Sequence, residues 1–348
     1  MNTKIFKIEE ENIDQDMINE ASSIIKDGNL VAFPTETVYG LGADGLNENA
    51  CKKIYDAKGR PSDNPLILHI SSLDMLYNLV EEVSDQVKKL IDKFWPGPLT
   101  IIFKKSNIIP GIITAGLDTV AIRMPKNKIA RALIDNTNTP IAAPSANKSG
   151  RPSPTKASHV VNDLKGIIPL IIDGGSSIIG IESTVIDMSS DKPTILRPGY
   201  FTYEDIKDVL GDVVMDEALV DNQKIPKSPG QKYEHYSPKA DMEVYVGEDA
   251  DLYMVDTLYD RKDFTKIGII TFDDSLDLFE GYKTLSFGPR DDLNSMSHNL
   301  FDHLRHMDEL GVDLIIAEGV KEEGLGKSIM NRMRKSAAGN VFDIKEII

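Results

Sequence analysis

The stretch Met17–Pro34, MINEASSIIKDGNLVAFP, decides the fold class of this chain. Its first part places apolar residues at helical spacing, and Asp27-Gly28 is a typical helix stop. The short apolar run Asn29–Phe33 then predicts a buried strand, which must end at the proline. A helix followed at once by a buried strand is typical of an α/β protein.

The same alternation of strands and helices continues to residue 197. Further short apolar runs predict strands at Leu66–Ile70, Leu99–Phe103, Val120–Arg123, Ile141–Ala143, Leu170–Asp173, Ser183–Asp187 and Thr194–Arg197. Because these strands are mostly apolar on both faces, we predict a twisted, mixed sheet covered by helices. We assign this first α/β domain to residues 1–200.

Two further regions follow the first domain. Residues 201–240 are predicted to be a linker, because Asp221–Lys239 contains three prolines and has no hydrophobic periodicity. Residues 241–348 return to alternating strands and helices, which predicts a smaller, Rossmann-like α/β domain. Its predicted strands are Met242–Val246, Lys266–Thr271, Tyr282–Ser286 and Asp313–Ala317.

The composition is that of an ordinary globular protein with an acidic surface. The chain has 348 residues, 41% of them hydrophobic, and its formal net charge is −16. Residues 241–348 contribute 23 acidic and 12 basic residues to this balance. A duplex bound through its phosphates usually needs a basic face, so we expect no direct DNA binding.

Several functional classes are excluded or disfavoured by missing residues. The single cysteine, Cys51, excludes an intrachain disulfide and every cysteine-based metal site. No H-E-x-x-H or G-x-S-x-G motif occurs, so we predict neither a protein-held metal nor a serine nucleophile. The apolar runs are far shorter than the ~20 residues of a membrane helix, and the acidic N-terminus does not resemble a signal peptide. We therefore expect a cytoplasmic protein.

Hydroxyl, amide and cationic side chains cluster just after the predicted strands. The turn Thr35–Gly40 carries two threonines, and such strand ends often bind ligands in open α/β sheets. Lys58 and Arg60 lie two residues apart in a proline-bounded segment that we predict to be extended, so both would project to one side, near Asn64. Such a pair suits an oligophosphate, although a structural turn and a solvated basic loop remain alternative interpretations.

Later polar residues fit the same kind of site. Arg123 ends an apolar strand and needs a partner, which could be a ligand carboxylate or a protein acid such as Asp173 or Glu182. Other hydroxyl, amide and cationic groups follow strands at Ser145, Asn147, Ser183 and Arg197. Together these groups predict a site that binds and positions anions, without covalent catalysis by the protein.

Motifs along nearly the whole chain resemble the YrdC-like family. In the first domain they are Pro34–Leu41, Arg60–Leu66, Pro144–Gly150 and Leu196–Gly199. The segments Ser228–Pro238 and Gly324–Met333 resemble the two-domain form of the family, the L-threonylcarbamoyladenylate synthases. The resemblance implies a YrdC-like catalytic domain, a linker that crosses the active-site cleft, and a C-terminal Rossmann-like domain.

The resemblance also implies an activity. Such an enzyme is a nucleotidyltransferase that joins L-threonine, bicarbonate and ATP into threonylcarbamoyl-AMP and pyrophosphate, the first step toward threonylcarbamoyladenosine in tRNA. Mg²⁺ would accompany the ATP, and the tRNA threonylcarbamoyl transferase that uses the product is a candidate partner.

The resemblance assigns residues to the two substrates. The catalytic cations would be Lys58 and Arg60, gripping phosphates. The nucleotide side would comprise Lys58, Arg60, Asn64, Thr119, Ser145, Asn147, Ser153, Arg197 and Tyr236. The threonine side would comprise Thr37, His69, Arg123, Ala143 and Ser183, with Arg123 as the carboxylate clamp.

Two alternatives follow from other classes. A noncatalytic RNA-binding protein could use the same concave basic surface, and it would show a steep salt dependence without pyrophosphate release. A maturation factor that uses carbamoyl phosphate and contains a YrdC-like module would need cysteine-rich zinc fingers, which a chain with one cysteine lacks.

Overall fold

The computed structural model describes residues 1–62, 64–216, 235–261 and 266–347. These residues form two compact units. The first contains Met1–Ser149, Ser153–Ile178 and the described residues 182–216. The second contains the C-terminal part from residue 235 and two short segments, Gly150–Pro152 and Ile179–Ile181. The chain thus enters the second unit three times.

The first unit is built on an 11-stranded sheet. Its order is β1-β8-β2-β3-β7-β4-β6-β5-β9-β10-β11, for the strands β1 (Lys4–Lys7), β2 (Val31–Phe33), β3 (Gly40–Asp44), β4 (Ile67–His69), β5 (Leu99–Lys104), β6 (Thr119–Arg123), β7 (Ile141–Ala142), β8 (Leu170–Asp173), β9 (Thr184–Asp187), β10 (Thr194–Arg197) and β11 (Val214–Met215). The sheet contains parallel pairs, such as β4 with β6, and antiparallel pairs, such as β5 with β6, which confirms the predicted mixed sheet.

Helices connect most of these strands. They are α1 (Gln15–Lys26), α2 (Glu48–Lys58), α3 (Leu73–Leu79), α4 (Asp85–Phe94), α5 (Gly111–Thr114), α6 (Lys128–Thr137), α7 (Ala157–Leu164) and α8 (Tyr203–Leu210). The N-cap of α1 is Asp14, whose carboxylate accepts the backbone N–H groups of Asp16 and Met17. Helix α1 ends at Lys26, before Gly28 at a φ of 73°, as the sequence predicts.

Strand β2 is buried on both faces. Leu30 and Ala32 belong to one apolar cluster, whereas Val31 and Phe33 belong to another. Because side chains alternate across a strand, this division shows that apolar layers cover both sides of the sheet here. The turn that follows β2 is therefore anchored by a rigid element.

The second unit has a five-stranded sheet with only parallel pairs. Its order is β14-β13-β15-β12-β16, for β12 (Asp241–Val246), β13 (Ile267–Thr271), β14 (Lys283–Ser286), β15 (Leu314–Glu318) and β16 (Val341–Asp343). Its helices are α9 (Ala250–Asp260), a 3-10 helix (Asp273–Phe279), α10 (Leu293–Leu310), α11 (Leu325–Ser336) and α12 (Ile344–Ile347). The predicted fold class, a mixed-sheet α/β domain with a smaller α/β domain, is confirmed.

The segment 201–240, predicted to be a linker, contains three different parts. Its first part holds α8 and β11, and β11 pairs with β10 of the first sheet. Residues 217–234 lie outside the described residues, and Ser237 already belongs to the second unit. Among the described helices, none combines the length and apolar character needed to cross a bilayer.

Candidate active site

The turn between β2 and β3 is pinned by the hydroxyl of Thr35. This hydroxyl donates to the Val38 carbonyl at 2.6 Å and accepts the backbone N–H groups of Thr37 and Val38 at 3.2 and 3.3 Å. The Thr37 hydroxyl lies 2.8 Å from it. Both threonines are buried, so the turn presents an oriented Thr37 hydroxyl rather than a mobile one.

Arg123 is held in place by three acceptors. Its Nη2 donates to Glu36 Oε1 at 2.6 Å, its Nη1 to the Thr37 hydroxyl at 2.8 Å, and its Nε to the Gly97 carbonyl at 3.2 Å. The protein acid that pairs with Arg123 is therefore Glu36; our suggestion of Asp173 or Glu182 was wrong. The guanidinium is only 4% exposed, and it still has N–H groups beyond these three bonds.

His69 lies beside Arg123 on the neighbouring strand. The two residues are register partners in the parallel pair β4–β6, so their side chains share one face of the sheet. Burial, and then the positive charge of Arg123, lower the pKa of the His69 imidazole to about 3. His69 is therefore neutral near pH 7 and can contribute a hydrogen bond but no charge.

A second arginine, Arg197, is connected to the residues around Arg123 through the hydroxyls of Thr100 and Ser183. Thr100 is the register partner of Arg123 in β5–β6, and its hydroxyl lies 2.8 Å from that of Ser183. Arg197 donates to the Ser183 carbonyl through Nε and Nη2, at 3.1 and 2.9 Å, and to the Ser183 hydroxyl at 3.1 Å. A Cβ on Gly199 would overlap the Thr184 backbone nitrogen, so only glycine allows the chain to pass this close.

Lys58 organises a separate group of residues. Its ammonium donates to the Ser145 carbonyl, to the Asn147 carbonyl at 2.7 Å and to Asn147 Oδ1 at 3.4 Å. Our prediction of an extended Lys58–Arg60 segment was wrong. Lys58 is the last residue of α2, and Gly59 caps the helix in the left-handed conformation, with a φ of 62°.

The remaining predicted residues occupy different places. The Ser153 hydroxyl donates to Glu182 Oε1 at 2.6 Å, and Ala143 pairs with the β4 backbone. The Asn64 side chain is buried, and its Nδ2 has no hydrogen-bond partner among the described residues. Thr119 begins β6, whereas Arg123 ends it, about 13 Å away at the usual rise of ~3.3 Å per residue.

Tyr236 lies in the second unit. Its ring packs on Phe301, with a centroid distance of 5.0 Å, and the Lys335 ammonium lies 5.9 Å from the ring centroid. Its backbone has a φ of 68°, which is unusual for a residue other than glycine.

Contacts and register thus connect two sets of predicted residues. The first set is Thr37, His69, Arg123, Ser183 and Arg197, and the second is Lys58, Ser145 and Asn147. Sequence reasoning missed Glu36 and Thr100. The signal for Thr100 was a hydroxyl inside an apolar strand, and the signal for Glu36 was an acid enclosed by two turn threonines.

Among the described residues, neither a reactive thiol nor a metal cage lies at these positions. Burial raises the pKa of the Cys51 thiol to about 12, so it stays protonated near neutral pH. No group of three His, Cys, Asp or Glu side chains among the described residues could hold a metal ion. Buried cations and oriented hydroxyls remain, and they suit the binding of carboxylate and phosphate groups.

Two family models together match most of the chain. One, described as "Telomere recombination" and covering the Sua5, YciO and YrdC proteins, matches residues 23–199. The other, described as "Threonylcarbamoyl-AMP synthase, C-terminal domain", matches residues 201–338.

Full-length relatives agree with these matches. The threonylcarbamoyl-AMP synthase of Pyrococcus abyssi is 46% identical over 96% of this chain and 98% of its own length. That of Bacillus subtilis is 45% identical over 93% and 94%. The crystal structure of P. abyssi Sua5 complexed with L-threonine superposes with a TM-score of 0.92 at 44% identity, covering 98% of this chain and 100% of that one. The resemblance read from the motifs is confirmed, and the chain belongs to the Sua5/YrdC family of enzymes, in its two-domain threonylcarbamoyl-AMP synthase form.

Proposed function

We propose that this chain joins L-threonine, bicarbonate and ATP into threonylcarbamoyl-AMP and pyrophosphate through the site just described. The observation that carries the proposal is the pair of buried guanidinium groups, Arg123 and Arg197, linked through Thr100 and Ser183. Such an arrangement can hold a carboxylate near a phosphate through hydrogen bonds and ion pairs, without a covalent bond to either.

Threonine would bind beside Arg123. The remaining N–H groups of this arginine would receive the substrate carboxylate, with the Thr37 hydroxyl, Ala143, Ser183 and the neutral His69 around it. A charged imidazole next to Arg123 would compete for the same carboxylate, so the low pKa of His69 favours a single clamp. The L-threonine complex of the P. abyssi relative supports this part of the proposal.

ATP would bind along the second set of residues. Lys58 fixes the turn that carries Ser145 and Asn147 and adds positive charge there, and Arg60 follows one residue after the α2 cap. The buried amide nitrogen of Asn64, which has no hydrogen-bond partner in the part of the chain that the structure describes, is a donor that a nucleotide could satisfy. Thr119, Ser153, Arg197 and Tyr236 would complete the nucleotide side.

The reaction then needs positioning and charge stabilisation. Bicarbonate takes up a proton and loses water to give carbon dioxide. The threonine ammonium group loses one proton to solvent, forms an N–C bond to carbon dioxide and releases a second proton as it becomes a carbamate. A carbamate oxygen attacks the α-phosphorus of ATP, and the bond to the departing pyrophosphate breaks. Lys58, Arg60 and Arg197 would stabilise the negative charge on the phosphates during this displacement.

A magnesium ion fits this site only as a companion of ATP. Two buried carboxylates near the proposed site, those of Glu36 and Glu182, are engaged by Arg123 and Ser153. Phosphates and water supply most ligands of such an ion, so a protein carboxylate cage is not required. When bound with ATP, Mg²⁺ neutralises part of the phosphate charge.

The division into functional domains also remains a proposal. We propose a catalytic domain to residue 200, a linker within 201–240 that crosses the cleft, and a C-terminal domain from 241. Limited proteolysis with and without ATP plus threonine tests the linker. Protection between Asp221 and Lys239 in the presence of both substrates supports it, whereas unchanged cleavage argues against it.

The decisive experiment measures pyrophosphate release from ATP by the full chain. We expect release only when threonine and bicarbonate are both present, together with a product that the tRNA threonylcarbamoyl transferase can use. A protein that binds RNA with a steep salt dependence but releases no pyrophosphate would instead be the noncatalytic alternative.

A further inference from the structure

Helix α10 of the second unit contacts two short segments that lie earlier in the chain, between strands of the first sheet. Gly150–Pro152 and Ile179–Ile181 both belong to this unit. Each segment leads directly into a residue of the proposed site, since Ser153 follows the first segment, and Glu182 and Ser183 follow the second.

The first segment is fixed chiefly by Arg305. This buried arginine, 4% exposed, donates to the Pro152 carbonyl through Nε at 3.0 Å and Nη2 at 2.6 Å. One helical turn later, Asp308 pairs with Arg151 at 2.6 Å and also accepts the backbone N–H of Lys239 at 2.7 Å. Two charged groups on one face of α10 thus fix consecutive residues of a loop.

The second segment lies against the N-terminal half of the same helix. The Ser297 hydroxyl is fully buried and lies 2.9 Å from the Ile179 carbonyl. A Cβ on Gly180 would overlap the Ser297 carbonyl oxygen and come within 2.6 Å of the His298 Cα. Gly180 also has a φ of 84°, so both its backbone angle and its packing require glycine.

The residues at which the two segments end are hydrogen-bonded to each other. Ser153 donates to Glu182 at 2.6 Å, and both side chains are buried. A shift of one segment on α10 would therefore strain this bond and displace chiefly the residue at the end of that segment. Displacements well below 1 Å matter for a site that works by positioning its substrates.

We propose that α10 positions the two substrate-binding loops: Arg305 sets Ser153 on the nucleotide side, and Ser297 sets Ser183 on the threonine side. Neither α10 residue touches the substrates in this scheme, so both are positioning residues. The assignment of the two sides rests on the proposed function. The distinctive consequence is that each substitution should weaken the binding of a different substrate.

The test uses the full chain, with pyrophosphate release measured for Arg305→Gln, Ser297→Ala and the wild type. We expect Arg305→Gln to raise the KM for ATP about three- to tenfold, the effect of losing one or two hydrogen bonds, with less than a twofold change for threonine. Ser297→Ala should raise the KM for threonine more than that for ATP. Arg305→Lys, which keeps the charge and one donor, should recover part of the ATP affinity.

A matched control is Arg261→Gln. Arg261 is another arginine of the second unit, paired with Glu243, and its loss should leave both KM values unchanged. Calorimetric binding of a non-hydrolysable ATP analogue gives an independent readout, and Arg305→Lys serves if Arg305→Gln does not fold. Unchanged ATP affinity in the Arg305 variants, or equal rises of both KM values in the two α10 variants, would overturn the inference. A wild type that releases no pyrophosphate would instead refute the proposed function.

Discussion

The carboxylate of Glu36 and the guanidinium of Arg123 form a buried ion pair with a 2.6 Å separation and about 5% exposure of each side chain. The pair joins the turn after β2 to the end of β6, which are distant in sequence. It leaves part of the guanidinium available while fixing its orientation. Glu36 thereby determines where the proposed carboxylate clamp points.

We expect Glu36→Ala to destabilise the fold by about 3–5 kcal/mol, because it leaves a buried arginine without its charged partner. Urea unfolding measures the change. Glu36→Gln also removes the negative charge but keeps a carbonyl oxygen for the hydrogen bond, so it should lose less stability than the alanine variant. A loss below about 1 kcal/mol for the alanine variant would show that another group balances the Arg123 charge.

His69 should make stability depend on pH. Its folded-state pKa, about 3, lies below the ordinary value of 6.5, so the unfolded chain binds a proton first as the pH falls. Its contribution is fully present above pH 6.5 and is lost progressively toward pH 3. Between pH 7 and pH 5 the loss from this group should reach about 2 kcal/mol.

The contribution of His69 is isolated by comparing the wild type with His69→Asn. Urea unfolding at pH 7 and pH 5 gives four free energies, and their double difference removes the effects of all other titrating groups. We expect the variant to lose less stability on acidification. Equal losses in both proteins would mean that folding does not lower the pKa of the imidazole.

Thr100→Val tests the hydroxyl pair behind the site. The substitution keeps the shape of the side chain but removes its hydrogen bond to Ser183, so we expect a loss of about 1 kcal/mol in unfolding free energy. The KM for threonine should rise as Ser183 becomes less well oriented. Thr100→Ser retains the hydroxyl and should keep the wild-type KM. If Thr100 only filled space, the serine variant, which lacks the methyl group, would raise the KM instead.

Arg60→Ala should reduce kcat/KM for ATP roughly ten- to a hundredfold, because a charge-assisted phosphate contact is worth about 1.5–3 kcal/mol. Steady-state pyrophosphate release measures this effect. Arg60→Lys keeps the charge but loses the planar guanidinium with its paired donors, so its kcat/KM should lie between those of the alanine variant and the wild type. Near-normal activity of Arg60→Ala would remove this residue from the proposed site.

The strands of the core were predictable because their apolar runs are short and clearly bounded. The sequence predicts β8 and β10 with the observed limits, Leu170–Asp173 and Thr194–Arg197. It does not predict β3, Gly40–Asp44, whose glycines are unfavourable in strands. Gly42 is needed there because a Cβ would come within 2.8 Å of Phe33 and Ile141, a reason that exists only in the folded structure.

The sequence predicted that the site is built from cationic, hydroxyl and amide side chains. It did not predict which of these side chains contact each other. Proline suggested an extended chain at Lys58–Arg60, whereas the left-handed Gly59 closes a helix there. Similarly, the need of Arg123 for a partner follows from burial, yet the choice of Glu36 depends on how the β2 turn meets β6. Such long-range contacts have no local signature in a single sequence.

The repeated passage of the chain into the second unit limits how this protein can be dissected. A fragment that stops at residue 216 keeps Pro152 and Ile179 but loses Arg305 and Ser297, the side chains that engage their carbonyl groups. Removing the chain after residue 216 would thus leave two loops near the proposed site without the side chains that hold them. A chimera that takes its second unit from a relative therefore cannot be made with a single junction. It would also need residues 150–152 and 179–181 that fit the helix α10 of that relative.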